Sequence, residues 1–551
     1  MRPPVGIYDA TLRDSVGDFV SLHLRSHELG EVVRLLDKVG YAGVDGFGGG
    51  SAERVVHLLR EDPWERLRVI RRGLPNTPLQ VVLRSKLLFG SSPAPLSTIR
   101  ATLRLLSDLG VDHIKVSDPG IDIDGARMVV EMAKFTGFKV TAAVPVAWGL
   151  MQDPRDALLE AGVTFTDAGA DEIALQDPFG LLSPAHLASL VRSFTQHCSL
   201  PLRLHVHDTS LMSAAAIEAG VSAGAAFADA TVSSLAWTYS PPRAESLLMA
   251  LRGSKRAPAI DLTALENVSR WFDEAKERKG FGHKVLHGVD HALLRGEMPS
   301  TVKRTLANEL MRRERSDLMT RAWEEAPKVW EDLGCPPLLT PLLEAVCSQT
   351  AENVCNDVPY SSLTPRAVTY LRGAYGQPRH AIRGDLVTRA KDKSLDSEAP
   401  LQDFDHADFG PTATAAEKLT MILFGDGEGL DLLKSAKTSD ETRSEMPADS
   451  RIPRKVIVEH QGESFEVNLE GLGPMKGNKR TLFMRIGGET SSIEVAFPPA
   501  DSAPEFVLKH HGKSHRIKIL EILPKGKRTL PVVMRKDGQV VEILYSFPKN
   551  I

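Results

Sequence analysis

Two histidines near position 205 are the residues of this sequence that most directly suggest chemistry. They stand in the run Leu204-His205-Val206-His207-Asp208-Thr209. Because side chains alternate along a β-strand, His205 and His207 are expected on the same face, where two imidazoles can share one divalent ion. The alternative interpretation is that both histidines fill polar layers inside a barrel.

A second polar run near the N-terminus supplies groups that suit the same ion. In Thr11-Leu12-Arg13-Asp14, Asp14 offers a carboxylate ligand and Arg13 offers a guanidinium for a carboxylate- or enolate-bearing substrate. An ion held by one carboxylate and two imidazoles keeps open positions, at which it polarises a carbonyl oxygen and stabilises an enolate. The predicted metal ligands are therefore Asp14, His205 and His207, with zinc, manganese or cobalt as candidate ions.

Eight short strands alternate with helical stretches over the first 250 residues, at the spacing of one β-α unit. This pattern predicts an α/β fold, a (β/α)8 TIM barrel, in preference to an open sheet. The strands are predicted at Val5–Tyr8, Ala42–Val44, Leu79–Leu83, His113–Val116, Val140–Val144, Glu172–Leu175, Leu202–Val206 and Phe227–Val232.

Polar residues follow the carboxyl ends of several of these strands. In a TIM barrel those ends converge on the catalytic face, so residues far apart in sequence become neighbours. Any single aspartate there is as well explained as a helix cap or loop residue, and the prediction depends on their number. They are Arg13, Asp14, Asp45, Arg84, Asp118, Asp177, His205, His207 and Asp208.

The rest of the chain divides by composition and by an internal repeat. Residues 1–260 are predicted to form the barrel, and residues 261–395 a C-terminal helical extension that completes the active-site funnel. Residues 396–450 are interpreted as a flexible linker with one short helix around Leu419 to Phe424. Lys479-Arg480-Thr481-Leu482 recurs 48 residues later as Lys527-Arg528-Thr529-Leu530, which predicts two small β-rich modules at 451–500 and 501–551.

Composition narrows the classes of function. The 551 residues include 67 basic and 71 acidic side chains, and this near balance predicts no nucleic-acid partner. The C-terminal modules alone are basic, which indicates a solvated surface or, as the alternative, a dock for an acidic partner. No apolar stretch is long enough to span a bilayer, and the four cysteines form no disulfide framework, so we expect a cytoplasmic protein.

With these residues in place, the chain resembles the biotin-dependent carboxyltransferases of pyruvate carboxylase, oxaloacetate decarboxylase alpha subunits and the transcarboxylase large carboxyltransferase subunit. The resemblance covers most of residues 5 to 435, and the run from Glu61 to Arg68 is its most specific part. It rests on Thr11-Leu12-Arg13-Asp14, Gly48-Gly49, Glu61-Asp62-Pro63-Trp64-Glu65-Arg66-Leu67-Arg68, Leu83-Arg84, Asp177 with Gly180-Leu181-Leu182 and Pro184, His205-Val206-His207-Asp208-Thr209, and Leu339-Thr340-Pro341.

The resemblance implies roles for individual residues. Asp14, His205 and His207 match metal ligands, and Thr340 matches a threonine that relays a proton between biotin and the enol. The residues implied to bind substrate, a small 2-oxo acid such as pyruvate or oxaloacetate, are Arg13, Arg84 and Asp177. Arg13 is also counted among the candidate catalytic residues, with Thr340 and Gln176. No Ala-Met-Lys-Met biotin-acceptor sequence is present, so the implied partners are a separate biotin carboxyl carrier protein and a biotin carboxylase subunit, and we expect a homo-oligomer, a dimer.

Three positions depart from the family pattern. Gln176 stands where the family has a carbamylated lysine that provides the fourth metal ligand. A primary amide forms no carbamate, so the site would have one anionic ligand fewer. Gly17 replaces an expected glutamine, and Ser91 replaces an expected tyrosine.

Three functions of different classes remain open at this point. The first is a carboxyltransferase subunit that moves a carboxyl group between carboxybiotin on a separate carrier and a 2-oxo acid. The second is a metal-dependent lyase or aldolase of the same superfamily that works without biotin. The third is a catalytically silent subunit that serves as a scaffold.

Overall fold

A computed structural model of the chain contains two compact units, Met1–Glu441 and Thr442–Ile551. It describes residues 3–15, 24–118, 122–146, 155–236, 239–279, 298–356, 358–376, 378, 380–392, 401–407 and 413–425, and the backbone of the strands between 455 and 546.

Eight parallel strands close into a barrel in sequence order, which confirms the predicted fold class. Closure is made by β1 and β8, whose paired residues run from Gly6 with Phe227 to Asp9 with Ala230. The strands are β1 (Gly6–Asp9), β2 (Gly43–Gly48), β3 (Leu79–Leu83), β4 (His113–Ser117), β5 (Lys139–Pro145), β6 (Glu172–Asp177), β7 (Leu202–Val206) and β8 (Phe227–Ala230).

Helices surround the barrel and bury its apolar outer face in one core that runs from Val5 to Phe424. They are α1 (Thr11–Asp14), α2 (Gly30–Leu36), α3 (Gly50–His57), α4 (Pro63–Gly73), α5 (Leu96–Asp108), α6 (Ile123–Thr136), α7 (Arg155–Asp167), α8 (Pro184–His197), α9 (Ser213–Ala223), α10 (Ala244–Ala250) and α11 (Leu262–Arg278).

The helical extension has a hydrophobic core of its own, which also takes in barrel residues. Leu87, after β3, and Phe179, after β6, belong to the same buried cluster as Leu338 and Leu342 of the extension. The extension therefore packs at the carboxyl ends of the strands. Its helices are α12 (Ser300–Arg312), α13 (Met319–Asp332), α14 (Leu342–Cys355), α15 (Pro365–Leu371) and α16 (Gly384–Lys391).

The helix expected near Leu419 is present as α17 (Ala415–Phe424), and it packs on the barrel. The indole nitrogen of the buried Trp64 donates to Thr420 Oγ1 at 2.8 Å and to the carbonyl of Ala416 at 3.1 Å. This described part of the predicted linker is thus anchored to α4. Residues 426–450 lie outside the described residues.

The C-terminal repeat forms a single antiparallel sheet of eight strands in sequence order. Each copy contributes four strands, and β12 pairs with β13 to join the two copies. The strands are β9 (Lys455–His460), β10 (Glu463–Lys476), β11 (Lys479–Ile486), β12 (Glu489–Ala496), β13 (Glu505–His510), β14 (Lys513–Lys518), β15 (Thr529–Lys536) and β16 (Gln539–Ser546). Among the described helices, none combines the length and the apolar character that crossing a bilayer requires.

Stability of the barrel should depend on pH through His113, at the start of β4. Burial and the nearby Lys139 lower the pKa of His113 to about 4. In the unfolded chain the imidazole of His113 has a pKa near 6.5. Because the folded protein keeps this imidazole neutral, its free energy of unfolding decreases as the pH falls from 6.5 toward 4. We expect this fall to be about 3 kcal/mol smaller in His113→Gln. Urea unfolding of both proteins across this range measures the difference, and His186→Gln, at an exposed position of α8, should unfold like the parent. Parallel stability curves for the parent and His113→Gln would count against a buried neutral imidazole.

Candidate metal centre

Asp14, His205 and His207 come together at the carboxyl ends of two strands. Asp14 ends the single helical turn that follows β1, and the histidines lie at the end of β7 and just after it. One ligand atom from each side chain lies within 4.8 Å of the other two. Within the described residues, this is the one group of three such side chains with that spacing. The convergence expected from the sequence is therefore present.

The ligand atoms of the two histidines suit a cation. Nε2 of His205 and Nε2 of His207 are buried and have no hydrogen-bond partner among the described residues. Nε2 of His205 faces Asp14 Oδ2 at 3.3 Å. Buried polar atoms are normally paired, and a divalent ion shared by these three residues would pair both nitrogens. The residues present thus fit the ion that the sequence predicts.

The charge state of the triad also fits a metal site. Burial lowers the pKa of His207 to about 3, and burial together with Lys115 lowers the pKa of His205. Both imidazoles are therefore neutral near pH 7, the form that binds metal. Burial alone would raise the pKa of Asp14, but the charges of Arg13 and Lys115 hold it below its usual value.

Arg13 lies against Asp14, where its guanidinium makes a two-pronged contact. Its two terminal nitrogens donate to the two oxygens of Asp14 at 2.8 and 2.7 Å. The same guanidinium donates to Asp45 Oδ2 at 3.0 and 3.2 Å. Arg13 therefore orients the predicted carboxylate ligand, and its interaction with substrate remains a prediction.

Three buried charges beneath the histidines were missed by the sequence analysis. Asp229 Oδ2 lies 2.5 Å from His205 Nδ1, so His205 donates through Nδ1 and keeps the lone pair on Nε2. Arg203 Nε donates to Asp229 Oδ1 at 2.5 Å, and Lys115 Nζ lies 3.3 Å from Oδ2. Burial would raise the pKa of Asp229, but Arg203 and Lys115 hold it well below its usual range.

A sequence signal for these charges existed. Arg203, His205 and His207 follow one another at intervals of two along β7, so alternation places Arg203 on the face of the histidines. A charged residue on the inner face of a barrel strand needs a buried counter-charge. Asp229, in the run Phe227–Ala230, was the available counter-charge for Arg203 and also for Lys115 on β4.

Gln176 sits beside the histidines. It is the register partner of His205 on the neighbouring strand, and its Oε1 accepts a hydrogen bond from Ser117 Oγ at 2.9 Å. The position of the missing lysine thus holds a neutral amide whose carbonyl is already bonded to β4. Gly17, another departure from the family pattern, lies outside the described residues.

Arg84, at the end of β3, is held by groups from its own loop and from α3. One terminal nitrogen donates to the carbonyls of Phe89 and Gly90, both at 3.1 Å. Oε2 of Glu53, on α3, lies 3.5 Å from the same nitrogen. These contacts fix the guanidinium at the strand end, and its predicted role in binding substrate is not tested by them.

Asp177 holds the turn after β6. Its carboxylate accepts from the backbone N–H groups of Phe179 at 3.2 Å and Leu182 at 2.8 Å. Gly180 in this turn has a φ of +57°, and a Cβ there would come within 2.5 Å of the carbonyl of His207. The contacts of Asp177 are thus structural, and its predicted contact with substrate remains a prediction.

Thr340 lies just before α14 in the helical extension. Its hydroxyl donates to Glu344 Oε1 at 2.8 Å. The neighbouring Leu338 and Leu342 share a buried cluster with Leu87 and Phe179, which places this segment at the mouth side of the barrel.

The fold defines a class, a TIM barrel with a helical extension at its mouth. Residues 116–271 match the family model described as HMGL-like. The carboxyl transferase domain of pyruvate carboxylase from Rhizobium etli has the same fold, with a TM-score of 0.70 at 20% identity, over 90% of this chain and 88% of that one.

Two curated relatives indicate the kind of enzyme that this chain resembles. The chain is 27% identical over 504 residues to a subunit of pyruvate carboxylase from Methanocaldococcus jannaschii, covering 89% of this chain and 88% of that protein. It is 24% identical over 546 residues to the 2-oxoglutarate carboxylase large subunit of Hydrogenobacter thermophilus, covering 98% and 80%. These findings confirm the resemblance, and the chain is a divergent, enzyme-like relative of the biotin-dependent carboxyltransferases.

Asp229 should control metal affinity through His205. In Asp229→Asn a neutral amide oxygen replaces the carboxylate that accepts from His205 Nδ1. We expect this variant to bind Mn²⁺ roughly 10- to 100-fold more weakly than the parent. Titration calorimetry measures the change. Asp9→Asn is the matched control, because Asp9 is a buried barrel carboxyl whose oxygens bond to Thr11. Equal affinity of Asp229→Asn and the parent would mean that Asp229 has no part in ligand orientation.

Proposed function

We propose that this chain is the carboxyltransferase subunit of a biotin-dependent carboxylase or decarboxylase. It would move a carboxyl group between carboxybiotin on a separate carrier and a 2-oxo acid of the pyruvate or oxaloacetate type. The observation that carries the proposal is the convergence of Asp14, His205 and His207 at the mouth of a barrel of the carboxyltransferase type.

The proposed chemistry passes through an enolate of the 2-oxo acid. A divalent zinc, manganese or cobalt ion held by Asp14, His205 and His207 would supply a Lewis acid for the oxo group. Arg13 and Arg84 would hold the substrate carboxylate by charge-assisted hydrogen bonds. Thr340 would carry the proton between the methyl carbon of the oxo acid and the ureido nitrogen of biotin. Carbon dioxide released from carboxybiotin would then be attacked by the enolate carbon.

Donation from Thr340 to Glu344 suits this proton transfer. The hydroxyl donates to Oε1 of Glu344, which fixes the position of the Thr340 oxygen before the reaction. The carboxylate lies in the first turn of α14, where the helix terminus favours negative charge. In the relay, the hydroxyl proton would pass to the ureido nitrogen of biotin, and the Thr340 oxygen would then take a proton from the methyl carbon of the oxo acid.

The proposed partners follow from the same reaction. The two curated relatives described above are subunits of carboxylases. We therefore keep a biotin carboxyl carrier protein and a biotin carboxylase subunit as the proposed partners. The dimeric state, the cytoplasmic location and the domain boundaries of the sequence analysis also remain predictions.

The lyase or aldolase remains as a second candidate, and Gln176 is the observation that favours it. A site of one aspartate and two histidines, without a carbamylated lysine, is sufficient for metal-assisted enolate chemistry. Biotin separates the two functions, since a lyase would cleave its substrate at the same rate with or without it. The silent scaffold is separated from both by the absence of any turnover.

We predict that the chain decarboxylates oxaloacetate in the presence of Mn²⁺ and that free biotin stimulates the reaction. Thr340→Ala should lower the biotin-stimulated kcat by ~100-fold, the usual effect of losing a group that transfers a proton. Loss of oxaloacetate absorbance measures the rate. Thr388→Ala, at an exposed position of α16, should match the parent. Turnover without biotin stimulation would support the lyase, and the absence of turnover would support the scaffold.

Glu344 should act through Thr340. We expect Glu344→Gln to lower the biotin-stimulated kcat about tenfold, the worth of one charge-assisted hydrogen bond, with KM for oxaloacetate unchanged. In a Thr340→Ala background the same substitution should have no further effect. Glu352→Gln, two turns along α14, is the control. An additive loss in the double variant would show that Glu344 does not act through Thr340.

A further inference from the structure

We propose that the divalent ion and the 2-oxo acid bind this centre as a cooperative pair, with the acid providing the anionic charge that Gln176 does not. This inference rests on the proposed function, because it assumes a metal site that receives an oxo acid. It concerns how binding of the ion and binding of the acid depend on each other, and not the reaction itself.

The protein ligands supply little negative charge to the ion. Among the described residues, the group that could hold an ion contains one carboxylate, Asp14, and two imidazoles. Imidazoles bind metal as neutral groups. Asp14 is therefore the one ligand of this group that carries a negative charge, and it shares that charge with Arg13.

Gln176 cannot provide the missing negative charge. Its register with His205 places it next to the ligands. Its amide is neutral, and its Oε1 already accepts from Ser117 Oγ at 2.9 Å. A carbonyl oxygen engaged in this way is at most a weak ligand beside the ion.

The buried charges around the ligands are already balanced. Three carboxylates and three cations are linked by contacts of 2.5 to 3.8 Å, and they cancel one another. They are Asp14, Asp45 and Asp229 against Arg13, Arg203 and Lys115. No negative charge of this network is left over for a dication, and an unbalanced charge is costly in a buried site.

An oxo acid reduces this imbalance because it brings a carboxylate to the ion. Binding of either component should then strengthen binding of the other by the same factor. A protein carboxylate at position 176 would supply the charge permanently, and the acid would no longer be needed. Ion and acid are therefore predicted to be coupled in the parent and to be largely uncoupled when residue 176 is anionic.

The test measures Mn²⁺ binding by titration calorimetry, with and without saturating oxalate as an unreactive analogue of an oxo acid. Free Mn²⁺ is corrected for its complex with oxalate. In the parent, oxalate should tighten the Kd of Mn²⁺ at least tenfold, within the usual range of coupling between sites. In Gln176→Glu, Mn²⁺ alone should bind at least tenfold more tightly than to the parent, and oxalate should change this Kd less than threefold.

A matched control separates local from general charge effects. Gln402→Glu adds the same charge at an exposed position, and it should show the parent's coupling. Equal coupling in the parent and Gln176→Glu would overturn the inference, and so would a Gln402→Glu protein that behaves like Gln176→Glu. In either case, Mn²⁺ binding and biotin-stimulated turnover by the parent would leave the proposed function standing. A parent that binds no Mn²⁺ with or without oxalate would overturn both.

Discussion

The pairing of β1 with β8 is the constraint on which the centre depends. It closes the barrel, and it brings a carboxylate from position 14 next to two imidazoles that lie almost two hundred residues later in the chain. Closure also creates a dry interior in which charges must be paired. The result is one continuous circuit of side chains through Asp14, Arg13, Asp45, Gln80, Arg203, Asp229 and His205. Each polar group in this circuit fixes its neighbour, so the ligands are oriented before any ion or substrate arrives.

The fold was predictable from the sequence because its signals are local and repeated. Strand and helix alternate at the spacing of a β-α unit, and each of the eight predicted strands is present with its bounds shifted by a few residues at most. The convergence of Asp14 with His205 and His207 followed from the barrel, since strand ends in this fold share one face. The charges beneath the histidines did not follow. Alternation along β7 places Arg203 on the face of the histidines, but its pairing with Asp229 on the neighbouring β8, and the approach of Lys115 from β4, depend on the three-dimensional arrangement of the strands.

The most specific motif of the resemblance, the run from Glu61 to Arg68, has a structural role in this chain. Asp62 caps α4 by accepting from the backbone N–H of Trp64, and Pro63 occupies the first turn. Trp64 anchors α17, and the buried Arg66 donates to the carbonyl of Leu24 at 2.9 Å. The motif therefore identifies the architecture and says little about the reaction. Evidence for the chemistry comes instead from shorter runs at the strand ends, which are weaker as motifs but lie where the fold concentrates polar groups.

A single strand position separates the candidate functions more sharply than the fold does. The backbone places residue 176 beside His205, so the side chain at this position decides whether an ion there would have a second anionic neighbour. What changes is the net charge next to the ion, and with it how strongly the ion polarises a bound carbonyl and how much it depends on an anionic substrate. Ser117 adds to this difference, since its hydroxyl directs the amide carbonyl of Gln176 toward β4. A substitution at position 176 is accordingly a change in the electrostatics of the centre that leaves the surrounding architecture intact.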